Sequence, residues 1–136
     1  MTNRPWPAYV WAAPTTLLGL AAIAITAPSL AVVDGVIEAH GPRLARLLDR
    51  LSPRLCVLAM TLGHVVIARD AAALAATRSH ERVHVRQAER WGPLFVPAYL
   101  AASAVAWLRG GDAYADNVFE REEWAAPGDV NGRAAT

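Results

Sequence analysis

The stretch His80-Glu81-Arg82-Val83-His84 places two histidines four positions apart, with a carboxylate directly after the first. On an α-helix, residues i and i+4 project from the same face, so both imidazoles can reach one metal ion. Glu81 then lies where it can accept a proton from a water bound to that ion. The stretch therefore predicts a helix that binds zinc through His80 and His84, with Glu81 as the general base of a hydrolase.

The residues that flank this motif favour a helix that begins after Asp70 and ends at Gly92. Asp70 is a suitable N-cap for an alanine-rich run, and alanine has the highest helix propensity. Gly92 can adopt the positive φ of a helix C-terminus, and Pro93 cannot continue a helix. The alternative is an amphipathic helix in water with two incidental histidines, because arginines recur along it at Arg78, Arg82, Arg86 and Arg90.

A catalytic zinc site has three protein ligands, so a third donor must come from another part of the chain. The acidic run from Asp116 to Trp124 reads as a short helix, and we predict Glu120 as the third ligand. An alternative role for Glu120 is a capping box, in which its side chain accepts a hydrogen bond from the backbone N–H of Asn117. Glu122 and Glu123 are alternative donors on the same run.

These motifs resemble those of a group of small bacterial membrane-associated proteins, which are similar in turn to gluzincin-type metallopeptidases. The resemblance rests on residues 78–124, with His-Glu-Arg-Val-His, then Trp-Gly-Pro-Leu-Phe-Val-Pro-Ala-Tyr, then Asp-Asn-Val-Phe-Glu-Arg-Glu-Glu. It implies an α+β, zincin-like fold, Glu81 as general base and a peptide or protein substrate. It also implies a zinc ion bound by His80, His84 and Glu120. Arg82 inside the motif, and Val118 where proline is expected, depart from the family pattern.

Composition restricts the remaining possibilities. A chain of 136 residues is the size of one domain, and its hydrophobic content of 54% is high for a soluble protein of this length. The net charge of +1 gives no basic excess, so nucleic acid is not an expected partner. Cys56 is the only cysteine, which excludes an internal disulfide, and we expect it to be a small buried side chain.

The N-terminal segment predicts a membrane helix. No charged residue occurs from Pro5 to Val33, and a helix that continues back through Pro14 is long enough to cross a bilayer. The aromatic residues near its start are expected to lie at the membrane interface: Trp6, Tyr9 and Trp11. The alternatives are a cleaved signal peptide, with a cleavage site at 29–31, and a buried core helix.

The sequence therefore predicts three regions. Residues 1–30 form a single N-terminal membrane helix, residues 31–126 a zincin-like metal-binding domain, and residues 127–136 a disordered tail. Within the domain, Asp34-Gly35 predicts a hairpin between two β-branched pairs, and the leucine spacing of residues 43–51 predicts an amphipathic helix.

Residues 62–68 predict one β-strand, which the resemblance places at the sheet edge beside the zinc, where it can pair with substrate backbone. We expect His64 on a face of this strand and His40 in a loop. The apolar run 94–108 must turn back towards the motif helix if Glu120 is to share an ion with the two histidines, and Gly110-Gly111 provides a flexible turn.

Several polar residues are candidates for supporting roles. Tyr99 or Tyr114 could donate a hydrogen bond to the developing oxyanion. Three side chains could orient the histidines, namely Asp116, Asn117 and Glu122. Two other functions remain open on the sequence alone: a zinc-binding membrane module without hydrolysis, and a metal-free structural membrane protein whose arginines face anionic headgroups.

Overall fold

A computed structural model of the chain describes residues 4–124, except for the side chains of Glu123 and Trp124. The predicted tail, residues 127–136, lies outside the described residues. The fold is α+β, as expected, and forms two compact units, one that ends at Leu94 and one that begins at Phe95. Unit 1 contains, in order, α1 (Trp6–Thr26), β1 (Ser29–Val33), β2 (Val36–His40), α2 (Pro42–Leu51), β3 (Ala59–Leu62), β4 (Val65–Ala68), α3 (Ala71–Trp91) and a 3-10 turn (Gly92–Leu94). Unit 2 contains α4 (Phe95–Leu108) and α5 (Val118–Trp124).

The four strands form one mixed sheet in the order β1-β2-β4-β3. β1 and β2 are antiparallel, β2 and β4 are parallel, and β4 and β3 are antiparallel. The predicted hairpin between β1 and β2 is confirmed. Its two turn residues, Asp34 and Gly35, have φ angles of 50° and 75°, as a two-residue turn of the type I′ class requires.

The prediction of one edge strand over residues 62–68 is wrong. Gly63 has a φ of 64° and begins a two-residue turn with His64, so the apolar run is divided between β3 and β4. β4 is an interior strand, and β3, which the sequence did not predict, occupies the edge. The predicted locations of two histidines are also wrong. His64, expected on a strand, is buried in the turn, and His40, expected in a loop, is the last residue of β2.

The helix predicted at the N-terminus is confirmed and continues through Pro14. α1 buries a row of small residues at helical spacing and contacts β3, β4 and α3. That row consists of Ala12, Thr15, Gly19, Ala22 and Thr26. A Cβ added at Gly19 would lie 2.6 Å from Cβ of Val65, so only glycine permits this close approach. α1 is therefore a packed layer of unit 1.

Polar contacts also fix the first half of α1 in place. Tyr9 stacks on His64 with the ring centroids 4.3 Å apart, and its hydroxyl donates to the carbonyl of Gly35. The indole N–H of Trp11 donates to the carbonyl of Arg90 at 3.4 Å. Tyr9 and Trp11, two of the three aromatic residues expected at a membrane interface, therefore contact other elements of unit 1.

The opposite side of α1 is exposed and apolar, with Trp6, Val10, Leu17, Leu18 and Ile25 well exposed. By length and composition, α1 is able to cross a membrane, and the stretch Ala71–Leu108 meets the same criterion.

Helices α2 and α3 confirm the predicted boundaries within one residue. The carboxylate of Asp70 accepts from the N–H of Ala73 at 2.7 Å, and Gly92 ends α3 with a φ of 58°. In α2, Leu44 and Leu48 are fully buried in the core. Cys56, however, is exposed, because it lies in the connection between α2 and β3 and not in a core element.

Candidate metal centre

The two motif histidines meet on one face of α3. Nε2 of His80 lies 3.0 Å from Nε2 of His84, and the two rings are nearly perpendicular at 86°. His84 is buried, whereas His80 is partly accessible. The spacing of one helical turn thus brings two imidazole nitrogens together, as the sequence predicts.

Gln87 fixes the orientation of His84. Its amide oxygen lies 2.8 Å from Nδ1 of His84, and because a carbonyl oxygen can only accept, this contact fits the tautomer with the proton on Nδ1. Nε2 of a neutral His84 ring then holds a lone pair that is available to a metal ion. Gln87 is not among the site residues predicted from the sequence, although it lies three residues after His84 on the same helix face, which is a usable signal.

Glu81 is buried, with 4% of its surface exposed. One carboxylate oxygen, Oε2, accepts a hydrogen bond of 2.6 Å from the hydroxyl of Thr61 on β3. The same hydroxyl lies 3.2 Å from the backbone carbonyl of Glu81. The edge strand of the sheet therefore holds the predicted general base in a defined orientation.

Arg82, the charged residue inside the motif, points away from the histidines. At 100° per residue it lies about 160° around the helix from both histidines, and Arg78 lies about 160° from His80 and about 120° from His84. Both guanidinium groups bind the carboxylate of Glu38, which is buried on β2, at 2.7 Å from Arg82 and 2.9 Å from Arg78. Arg82 is therefore largely buried in an ion-pair network, whereas Arg78 reaches Glu38 from the exposed surface of the helix.

Glu120 is almost fully buried in unit 2, with 1% of its surface exposed. Its Oε1 accepts a hydrogen bond from the hydroxyl of Tyr99. It lies beside a cluster of three rings formed by Phe95, Tyr99 and Phe119. A carboxylate in such surroundings needs charged or hydrogen-bonding partners to remain ionised.

The capping-box alternative for Glu120 is wrong. Asn117 is the N-cap of α5, because its Oδ1 accepts from the N–H of Phe119 at 2.9 Å. Its own backbone N–H donates to the carbonyl of Tyr114 at 3.0 Å, however, so it is not the donor that a capping box requires. Of the other candidate ligands, Glu122 is exposed, and the side chain of Glu123 lies outside the described part.

The remaining candidates differ in their surroundings. Tyr99 binds Glu120, and Tyr114 is exposed. Asp116 accepts from Arg121 and from the backbone of the residue at 112. Asn117 donates to the carbonyl of Tyr99 and to the hydroxyl of the serine at 103. Asp116 and Asn117 were predicted to orient the histidines, but these hydrogen bonds lie within unit 2. The residue that contacts Nδ1 of His84 is Gln87.

Among the described residues, His80, His84 and Glu120 are a group of side chains that could hold a metal ion. Two imidazole nitrogens and one carboxylate oxygen are donors that zinc accepts, and iron, cobalt and manganese also bind such donors. The donor set therefore fits zinc without identifying it. The chain matches no protein-family model, no curated protein and no solved structure.

Proposed function

We propose that this protein is a membrane-associated, zinc-dependent hydrolase that cleaves peptide bonds. In this proposal the ligands are His80, His84 and Glu120, in a zincin-like arrangement, and Glu81 is the general base. The observation that carries the proposal is the convergence of two Nε2 atoms at 3.0 Å.

This convergence fits a shared metal ion. Two nitrogen ligands at about 2.0–2.1 Å from a tetrahedral zinc are separated by about 3.3–3.4 Å. The observed separation of 3.0 Å differs from that value by a few tenths of an ångström, which a small rotation of the partly accessible His80 ring can supply. The Gln87 hydrogen bond supports the tautomer of His84 that a metal needs.

The chemistry proposed for Glu81 follows from its position. Bound zinc would lower the pKa of a water towards neutrality and polarise a substrate carbonyl. The Glu81 carboxylate accepts the proton of the attacking water and delivers it to the leaving amine. The hydroxyl of Thr61 donates to Oε2 and would hold the orientation of the carboxylate during the transfer.

The membrane association in this proposal rests on α1. One side of α1 packs on unit 1, and the other presents bulky apolar residues that are unfavourable in water. We propose that α1 is the single N-terminal membrane helix and that this exposed side contacts lipid.

A second function is favoured by the burial of Glu81. Because Glu81 and Thr61 are hydrogen-bonded in the interior, Glu81 could act purely in support of the fold. The protein would then be a zinc-binding membrane module without hydrolysis. Metal content by mass spectrometry and cleavage of a broad peptide library, both on the purified full chain, test the two functions separately.

The variant Glu120→Gln is expected to lower zinc affinity by about 100-fold or more, because it replaces an anionic ligand with a neutral amide. The amide oxygen can still accept from Tyr99, so unit 2 should keep its structure. Glu122→Gln is the matched control, since it removes the same charge from an exposed position on α5. Zinc titration against a chelator gives both affinities. Equal affinity in the two variants would remove Glu120 from the ligand set.

The variant Gln87→Leu is expected to weaken zinc binding by about 10–100-fold, because the residue that holds Nδ1 of a ligand histidine sets its tautomer and basicity. Gln87→Glu keeps an acceptor at the same position and should retain the affinity. The same chelator titration compares them. If Gln87→Leu and the wild type bind zinc equally, the Gln87 contact has no role in metal binding.

A further inference from the structure

The outer face of α2 carries a row of arginines. Arg43, Arg46 and Arg50 lie within about 60° of one another around the helix axis, at 100° per residue. All three are exposed, and so is Arg54, which follows the helix. Leu44 and Leu48 on the opposite side of α2 are fully buried, so the helix cannot turn this row inwards.

Two exposed leucines lie close in sequence to Arg50 and Arg54, at the C-terminal end of the row. Leu51, at the end of α2, is 57% exposed, and Leu55 in the following connection is 58% exposed. Basic residues beside exposed large apolar side chains are typical of a surface that lies at a lipid interface, where the charges meet headgroups and the apolar groups enter the acyl boundary. A polyanion without an apolar layer, such as nucleic acid, would not match the leucines.

The only acidic residue from 43 to 54 does not offset this charge. Asp49 forms a two-fold hydrogen-bonded ion pair with Arg69, at 2.6 and 3.2 Å. The hydrogen bond from Arg69 holds the pKa of Asp49 below its usual range. The four exposed arginines therefore give this surface a net positive charge.

We call this surface the α2 basic face (Arg43, Arg46, Arg50, Arg54, Leu51 and Leu55). Its helical arginines lie on the side of α2 opposite the buried leucines, which are the part of α2 nearest the end of α1. Ile23, in the last turn of α1, packs against the buried cluster that contains Leu44 and Leu48. A helix that enters the bilayer would therefore bring α2 to the level of the headgroups at its C-terminal end.

We propose that the α2 basic face binds anionic phospholipid headgroups, as a second membrane contact distinct from the apolar side of α1. Each exposed arginine near an anionic membrane surface strengthens the contact by about fivefold at low salt. The binding is electrostatic and is therefore weakened by salt. It rests on the membrane association proposed above and is independent of the metal site.

Cys56 provides a natural reporter, because it is the only cysteine, is exposed, and follows Leu55 directly. The experiment places the full chain in nanodiscs of phosphatidylcholine alone or with 30% phosphatidylserine (about one lipid in three, a PS-rich membrane). The rate at which a neutral, water-soluble maleimide modifies Cys56 is divided by the rate for the same variant in neutral detergent. We expect modification to be at least about tenfold slower with phosphatidylserine, and 1 M salt to remove the difference.

The double variant Arg43→Gln/Arg50→Gln should weaken docking by about 25-fold and so remove most of the protection. Its matched control, Arg86→Gln/Arg109→Gln, also removes two exposed arginines and should behave as the wild type does. Equal rates in the two kinds of disc, or loss of protection only in the control, would overturn the proposal. If the full chain does not enter phosphatidylcholine discs, this result would count against α1 as the membrane anchor. Binding of the same two double variants to phosphatidylserine vesicles would then be compared by flotation.

Discussion

The variants His80→Ala and His84→Ala are each expected to lose tight zinc binding, with a fall in affinity of about 1000-fold or more. Each leaves one imidazole and one carboxylate, which is one ligand fewer than the three of a catalytic zinc site. Among the described residues, no further histidine, cysteine or carboxylate is grouped with these three that could replace the lost ring. Competition with a chromophoric chelator measures the affinity, and mass spectrometry of the folded protein measures the stoichiometry, which we expect to be one zinc per chain.

His40→Ala is the control for this experiment. His40 is a partly buried residue at the end of β2 and belongs to the same unit, but it is not part of the proposed ligand set. It should bind zinc as the wild type does. Full retention of zinc in the His80→Ala/His84→Ala double variant would contradict the site, whatever the behaviour of the control.

The second large effect is expected from Glu81→Gln, which should keep zinc and lose about 100-fold to 10,000-fold in hydrolytic rate. Glutamine retains an oxygen that accepts from Thr61, so the interior hydrogen bond and the fold are preserved. It cannot accept a proton from water at neutral pH, so the proposed chemistry stops. Cleavage of a peptide library by zinc-loaded wild type and variant measures the effect.

Thr61→Val provides the matched control, because it removes the hydroxyl that orients Glu81 while the carboxylate remains. We expect a smaller loss of rate than in Glu81→Gln. If the wild type and Glu81→Gln bind zinc equally and neither cleaves any peptide in the library, the result would favour the zinc-binding module without hydrolysis. Equal and substantial cleavage by both would show that the base is another residue.

The helices of unit 1 could be predicted because local residues determine their ends. Asp70 caps α3 with its own side chain, and Gly92 ends it with a positive φ. The pairing of His80 with His84 follows from the same helical periodicity, since one turn separates them. The Asp34-Gly35 turn was predictable for a similar reason, as it requires only two adjacent residues with positive φ.

The sequence did not predict strand boundaries or side-chain partners that depend on residues far apart in the chain. The run of residues 62–68 is uniformly apolar, and only the turn at Gly63 shows that it belongs to two strands. Arg82 departs from the family pattern of the motif, and its ion pair with Glu38, more than forty positions earlier, could not be predicted from local sequence. Tyr99 donates to Glu120 because α4 packs against α5. The spacing of residues in the sequence does not indicate this hydrogen bond.

If α1 is the membrane anchor proposed above, its packing on unit 1 would determine how far from the bilayer the protein can act. A domain on a flexible linker of 20 residues would sweep a radius of about 25 Å around its anchor. Here only Ala27 and Pro28 separate α1 from β1, and the row of small residues around Gly19 fixes α1 against the strands. With α1 in the bilayer, Glu81 and the two histidines stand at one set height above or within it. Under the proposed function, only peptide bonds at that distance from the membrane could reach the site. The protein would therefore select its substrates first by this distance and then by their sequence.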